Sequence, residues 1–226
     1  MWDIRRYRRR VAAPAAIALL SLPLSGCIAA IPLIAYGGMA VSGFMAYKTV
    51  QLAGGGSVAI EFPGKDGKTA PPQPLPAFRR VAIWPGDEGE VKFAERLQSS
   101  ARFAAVVAPA AMSAVLAEDK TPIDLRQLTE QEKGQAFDRI CAREKVEFIF
   151  AATTEGASSN SNMFSFSAAN VTYTSDLFGY SCSQHQIVWR DKMALVVKAA
   201  GSVSNSSEMN QAGADAWSER VFQAMG

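Results

Sequence analysis

His185 is the only histidine in this 226-residue chain. Any serine–histidine–aspartate arrangement has to use it, and no Gly-x-Ser-x-Gly elbow accompanies it. Cys182-x-x-His185 offers two zinc-ligand types, but a structural zinc site needs about four donors and the sequence shows no second pair nearby. Glycine-rich phosphate cradles are missing as well, since neither Gly-x-x-x-x-Gly-Lys-Ser/Thr nor Gly-x-Gly-x-x-Gly follows a strand pattern. Gly54, Gly55 and Gly56 stand before a strand, the wrong side for anion binding at a helix end, and read as a hinge. Asp87, Glu88 and Glu90 fall at the start of a predicted helix, where attraction to the helix dipole is their ordinary explanation. No metal, cofactor or catalytic residue is nominated, and the chain is not expected to be an enzyme. An envelope hydrolase built on His185 and the acids around Asp87 is the weakest alternative.

Charge is also scarce. Charged residues are 19% of the chain, hydrophobic ones 49%, and the formal net charge is +2, which excludes disordered and collagen-like classes. That small positive balance is unevenly placed. Residues 1–26 hold five arginines (Arg5, Arg6, Arg8, Arg9 and Arg10) against Asp3, so they carry +4, and the remaining 18 basic and 20 acidic residues give −2. Counterion release needs a basic face on the folded part, so no nucleic-acid partner is expected.

The amino terminus carries the clearest signal. Its arginines lead into the apolar run Val11 to Leu20 and then to Leu24-Ser25-Gly26-Cys27, the order of charged, apolar and small-residue regions in a secretory signal. Leu-Ser-Gly-Cys resembles the bacterial lipobox. The resemblance implies cleavage between Gly26 and Cys27, diacylglycerol on the Cys27 sulfur, and acylation of the new amino group. Two or three acyl chains anchor far better than one, at about 0.8 kcal/mol per buried methylene. An ordinary cleaved signal with a coincidental cysteine is the other reading. Ile28 follows where aspartate would favour inner-membrane retention, so by analogy the destination is the inner leaflet of the outer membrane, with the domain facing the periplasm and the cell membrane as the alternative. Residues 28–47 bear no charge and are long enough to cross a hydrocarbon core of about 30 Å. They also contain Pro32, Gly37, Gly38, Ser42 and Gly43, with Gly38 and Ser42 as a small-xxx-small pair. Membrane lipid is therefore an expected partner through Cys27 and through residues 28–47, with spanning, lying in the leaflet beside the anchor, and packing on the domain as a helix or hairpin all open.

Four segments follow from the patterning: a signal peptide, 1–26; a lipidated cysteine with an apolar membrane-associated segment, 27–53; a strand and Gly/Pro-rich tether, 54–77; and a periplasmic domain, 78–226. Pro71, Pro72, Pro74 and Pro76 favour extended, semi-rigid chain. Beyond Phe78, Arg79–Trp84 reads as an apolar strand, 88–100 as a helix, 103–107 as a strand, and 109–116 as a short helix. The pattern Thr129-x-x-Glu132 opens a helix carrying Phe137 and Cys141, and 146–152 is a fully apolar strand. Apolar runs instead of alternation argue for a sheet buried on both faces. Phe164, Phe166 and Ala168, then Val171, Tyr173, Ser175 and Leu177, alternate as strands. Residues 186–189 and 193–199 read as a hairpin around Arg190-Asp191-Lys192, and Glu208 to Met225 closes as a helix. The fold class is α/β, a mixed β-sheet with helices packed on it. Cys141 and Cys182 remain as a possible disulfide, which an envelope location permits, while burial of a free Cys141 beside Phe137 is the alternative.

The opening strand Arg79–Pro85, the strand Arg102–Val107, the helix-to-strand passage Cys141–Phe150 and the strand Ile187–Trp189 before a terminal helix are similar to a group of extracytoplasmic bacterial α/β domains. The group includes the TolB amino-terminal domain, the curli-secretion lipoprotein CsgG and activators of penicillin-binding proteins such as LpoB. The resemblance spans about residues 78–226 and implies a non-catalytic domain that binds a periplasmic or outer-membrane protein. An oligomeric assembly or secretion component is the alternative, with residues 163–178 as a membrane hairpin or residues 28–47 driving assembly.

Overall fold

A computed structural model describes residues 46–226 except Gly54, 65–67, 161–169 and 199–205, and at 156–160, 170 and 206 it describes the backbone alone. The described residues belong to one compact unit. Gly26, Cys27 and residues 28–45 lie outside them, so the expected lipid-attachment and cleavage positions and most of the apolar stretch do too. Its last residue, Tyr47, belongs to the domain: its N–H bonds Ile60 O at 2.7 Å and its ring meets Phe62 edge-on at 5.1 Å. Among the described residues, no helix is long and apolar enough to cross a membrane.

The described elements are β1 (Lys48–Gln51), β2 (Ser57–Glu61), β3 (Arg80–Ile83), α1 (Glu88–Ser99), β4 (Ala105–Val107), α2 (Pro109–Glu118), a 3-10 turn (Leu125–Gln127), α3 (Glu130–Glu144), β5 (Phe148–Asn160), β6 (Asn170–Ser181), β7 (Gln186–Lys198) and α4 (Ser206–Met225). They form an α/β fold around one mixed seven-stranded sheet in the order β1-β2-β7-β6-β5-β3-β4. β3 runs parallel to β4 and β5, and every other pairing is antiparallel. Alternate residues of β3 and Trp84, which follows it, fall in two separate cores: Val81 and Ile83 on one face, Ala82 and Trp84 on the other. Phe148 and Phe150 of β5 divide from Ile149 and Ala151 in the same way. Helices α1 and α4 cover the first face, where Phe93 stacks on Trp217 with ring centroids 3.8 Å apart. On the second face, α2 and α3 supply Met112, Leu116, Phe137 and Ile140.

Local chemistry fixes the helix starts. Thr129 and Glu132 form the expected capping box of α3, and Lys145 ends that helix in the left-handed region at φ 53°. Asp87 and Glu90 form a second box at α1. α2 has no side-chain cap but carries Pro109 in its first turn, where the missing N–H costs nothing.

Three expectations change. The tether begins with a buried strand: β2 pairs with β1 and β7, and Val58, Ile60 and Phe62 are at most 1% exposed. The proline-rich chain after it docks on α4, because Leu75 N–H bonds Ala224 O at 2.8 Å and Arg220 Nη2 bonds Ala70 O at 2.7 Å. The folded unit therefore starts well before residue 78. Residues 186–198 are one strand, not a hairpin. Asp191 is tolerated inside it by an ion pair with Arg220 of α4 at 2.8 Å, and its neighbour Lys192 turns to Glu155 and Asp176 at 3.4 and 3.6 Å. Residues 170–178 likewise belong to the sheet, flanked on both sides, with Leu177 and Phe178 in the two cores, which removes this part from a membrane hairpin. The other part, Phe164 to Ala168, lies outside the described residues.

Arg220 is 1% exposed and lies over the Phe62 ring at 4.4 Å, so it joins α4, β7, β2 and the Ala70 carbonyl at one point. Burial raises the Asp191 carboxyl above its ordinary range against the opposing attraction of Arg220. Such a pair contributes little net stability but is expensive to break on one side. Arg220→Ala is expected to lower unfolding stability by about 3–5 kcal/mol, whereas the double variant Arg220→Met/Asp191→Leu should recover most of that loss. Guanidinium unfolding of the three proteins checks both.

Candidate functional site

Two concave places stand out, one under α1 and α4 and one beside α3, where residues of both cores meet. The first is a cavity of about 140 Å³ between α1, α4 and the β5–β7 floor, lined among others by Asp87, Glu90, Tyr173, Met193, Leu195 and Trp217. It contains the acids that the sequence places at a helix start. Asp87 Oδ1 accepts the Gly89 N–H at 2.7 Å, and Glu90 Oε2 accepts the Asp87 N–H at 2.9 Å. Glu88, outside the cavity lining, accepts from Ser207 Oγ at 2.7 Å and Asn210 Nδ2 at 3.3 Å, bonds that tie α1 to α4 and lower its carboxyl. All three acids thus have work within the fold. Glu90 is nevertheless unusual, being 7% exposed. Burial first, and then the neighbouring Asp87, push its carboxyl up to about 8. Gly86 lies close against it: a Cβ there would meet the Glu90 carboxyl carbon at 2.4 Å, so any larger residue would have to displace that carboxyl.

The second place is a groove of about 490 Å³ lined among others by Phe78, Asp138, Cys141, Cys182, Ser183 and His185. It sits where α3 meets the β6–β7 turn, residues 182–185, whose last member His185 adopts φ 52°. Cys141 and Cys182 are disulfide-bonded with Cα atoms 5.7 Å apart. One helical turn before Cys141, Asp138 accepts the Tyr180 hydroxyl at 2.6 Å and lies 2.8 Å from His185 Nδ1, both through Oδ1. Burial works to raise the Asp138 carboxyl, but the bonds from Tyr180 and His185 outweigh it and hold it below its ordinary range. Tyr180 is raised, by burial and then by its carboxylate partner. Sequence reasoning missed Asp138 and Tyr180. The available signal was the Asp138-x-x-Cys141 spacing, which mirrors Cys182-x-x-His185 but sits 41 residues away.

An aspartate–histidine pair invites comparison with serine hydrolases. Ser183 lines the same groove, yet its hydroxyl is bonded to Ser181 Oγ at 3.2 Å, and no hydrogen bond joins a serine to His185 among the described residues. The nucleophile–base contact of that chemistry is not formed here. His185 and the Asp87 acids also lie at different sites: neither cavity lining contains both.

No protein-family model matches the chain, and no curated protein matches it. Among solved structures, a PelC variant dodecamer from Paraburkholderia phytofirmans is similar at 13% identity and TM-score 0.39, over 73% of this chain and 97% of that one. The hypothetical protein CT253 from Chlamydia trachomatis is similar at 14% identity and TM-score 0.44, over 64% and 96%. Lipoprotein GNA1162 from Neisseria meningitidis is similar at 9% identity and TM-score 0.42, over 64% and 99%. Likenesses this distant transfer no function to the chain.

The raised Glu90 carboxyl has a calculable effect on stability. Its proton is held more tightly in the folded chain than in the unfolded one, so the stabilisation is complete below about pH 4.5 and is lost as pH rises towards about 8. Stability to thermal unfolding should therefore fall over that window by at most about 1.4 kcal/mol per pH unit, and Glu90→Gln should flatten the profile. For the disulfide, closing a loop of 41 residues corresponds to about 4 kcal/mol of chain entropy. Reduction is expected to lower Tm by about 10 °C, with two additional cysteines open to alkylation as read by intact-mass spectrometry.

Proposed function

We propose that the chain is a lipid-anchored protein of the bacterial envelope whose α/β domain binds a periplasmic or outer-membrane protein and performs no catalysis of its own. The observation that carries this reading is Leu24-Ser25-Gly26-Cys27 following five arginines and an apolar run. The Cys141–Cys182 bond supports it from the folded part, because disulfides persist in oxidising compartments and are rare in the cytosol. Anchor and domain then divide the work. Acyl chains on Cys27 fix the molecule to a leaflet, and the domain presents its outer surfaces to a partner.

Metabolic labelling with an alkyne fatty acid in a Gram-negative host tests the anchor. The wild-type chain should incorporate label and sediment with the outer membrane. Cys27→Ala should lose the label completely, and residues 28–45 are the anchor instead if that unlabelled protein stays in the membrane. In-cell crosslinking of the lipidated chain should recover a different envelope protein; a product containing only copies of this chain would favour the assembly reading.

A further inference from the structure

The sequence offers Cys182-x-x-His185 with no second pair of ligands, and the structure supplies that pair from a distant helix. Asp138 and Cys141 are three residues apart on α3, a spacing that places both on one helix face. Cys182 and His185 open and close the β6–β7 turn. Two links join these elements, and each takes one residue from the helix and one from the turn: the disulfide, and the 2.8 Å contact between Asp138 and His185. Four side chains of metal-ligating type therefore line one groove of about 490 Å³.

As the oxidised molecule stands, no group of three such side chains among the described residues is placed to hold a metal ion. A disulfide supplies no thiolate, so the donor set is incomplete by two. We propose that reduction of the Cys141–Cys182 bond converts this cluster into a tetrahedral site for zinc or another thiophilic divalent cation, with Cys141, Cys182, His185 and Asp138 as ligands.

The chemistry balances with one external reductant. A dithiol transfers two electrons and two protons to the bond, leaving Cys141 and Cys182 as thiols and becoming a disulfide itself. The cation then displaces those two protons. Two thiolates, one imidazole and one carboxylate form a borderline-soft set that suits zinc, at about 2.3 Å for sulfur and about 2.0–2.2 Å for nitrogen and oxygen. The surroundings already resemble the outer shell of such a site. Tyr180 and His185 both reach Asp138 through Oδ1, which leaves Oδ2 for the cation and Tyr180 as the carboxylate's supporting donor. The His185 side chain is 68% exposed, so the ring can turn from Asp138 towards the ion.

Cobalt(II) titration of the full chain carrying Cys27→Ser, in detergent, tests the proposal. The reduced chain should bind one equivalent and develop a thiolate-to-cobalt charge-transfer band, while the oxidised chain should develop none. Removing a ligand, as in His185→Ala or Asp138→Ala, should weaken binding about 10-fold or more, Tyr180→Phe should weaken it about 10-fold, and Ser183→Ala, from the same groove, should leave it unchanged. Where reduction unfolds the chain, zinc should restore its circular dichroism. A reduced chain that takes up no more cobalt than the oxidised one, a complex indifferent to both His185→Ala and Asp138→Ala, or an unfolded reduced chain that zinc does not refold, overturns the proposal.

Discussion

Arg220 and Asp191 set the terms for the α1/α4 face of the molecule. A guanidinium 1% exposed has no access to water, so every hydrogen bond it makes must come from the protein. It donates one through Nε to Asp191 Oδ2 and one through Nη2 to the Ala70 carbonyl, and Nη2 also ion-pairs with Asp191 Oδ2 at 2.8 Å. Those demands hold β7 straight through a charged triplet, draw residues 69–76 onto α4, and set Phe62 of the β2 end beneath the guanidinium plane. Lys48 and Glu219 add a half-exposed bond of 2.8 Å between β1 and the same helix. Helix α4 therefore acts as a clamp across the antiparallel half of the sheet, while the parallel half is closed by α1, α2 and α3.

This clamp explains which parts of the fold were legible in the sequence. Val81 to Trp84 and Phe148 to Ala151 read as doubly buried strands because they are apolar on both faces, and Thr129 and Glu132 announce their helix through local bonds alone. Asp87-x-x-Glu90 is equally local, but its acids are also explained by the helix dipole, so the pattern alone did not distinguish a capping box from a general preference. Arg190-Asp191-Lys192 was misleading for a different reason. Three consecutive charges look like a turn until a cation 29 residues away neutralises the middle one. The proline-rich stretch behaves similarly: its prolines do favour extended chain, and what docks it is the donor of Leu75 and the acceptor of Ala70, each answered by α4.

The groove beside α3 shows the same limit at the level of chemistry. His185 looked isolated because its partners are not its neighbours in sequence, and nothing local to Asp138 marks it as one of them. The antiparallel pairing of β6 with β7 brings the turn back over α3, and Phe137 beneath Tyr180, with ring centroids 4.9 Å apart, fixes the height at which the two meet. Packing of apolar side chains thus decides where the polar ones converge.

That order of causes also separates structural from chemical roles for the disulfide. The α3–turn contact does not depend on the covalent bond alone, since Phe137, Tyr180 and Ile140 lie buried in one core with Ile149 and Phe178. A cross-link added to a contact already made by packing acts mainly on the unfolded chain, restricting the loop it closes. The native elements can then stay in place when the bond opens, and the freed sulfurs remain near Asp138 and His185. A coordinating ion would replace the lost constraint by one of the same connectivity, because it too joins α3 to the turn. Bond and ion are therefore mutually exclusive occupants of one juncture, and whichever is present, the hydrophobic contact that creates the juncture is the same.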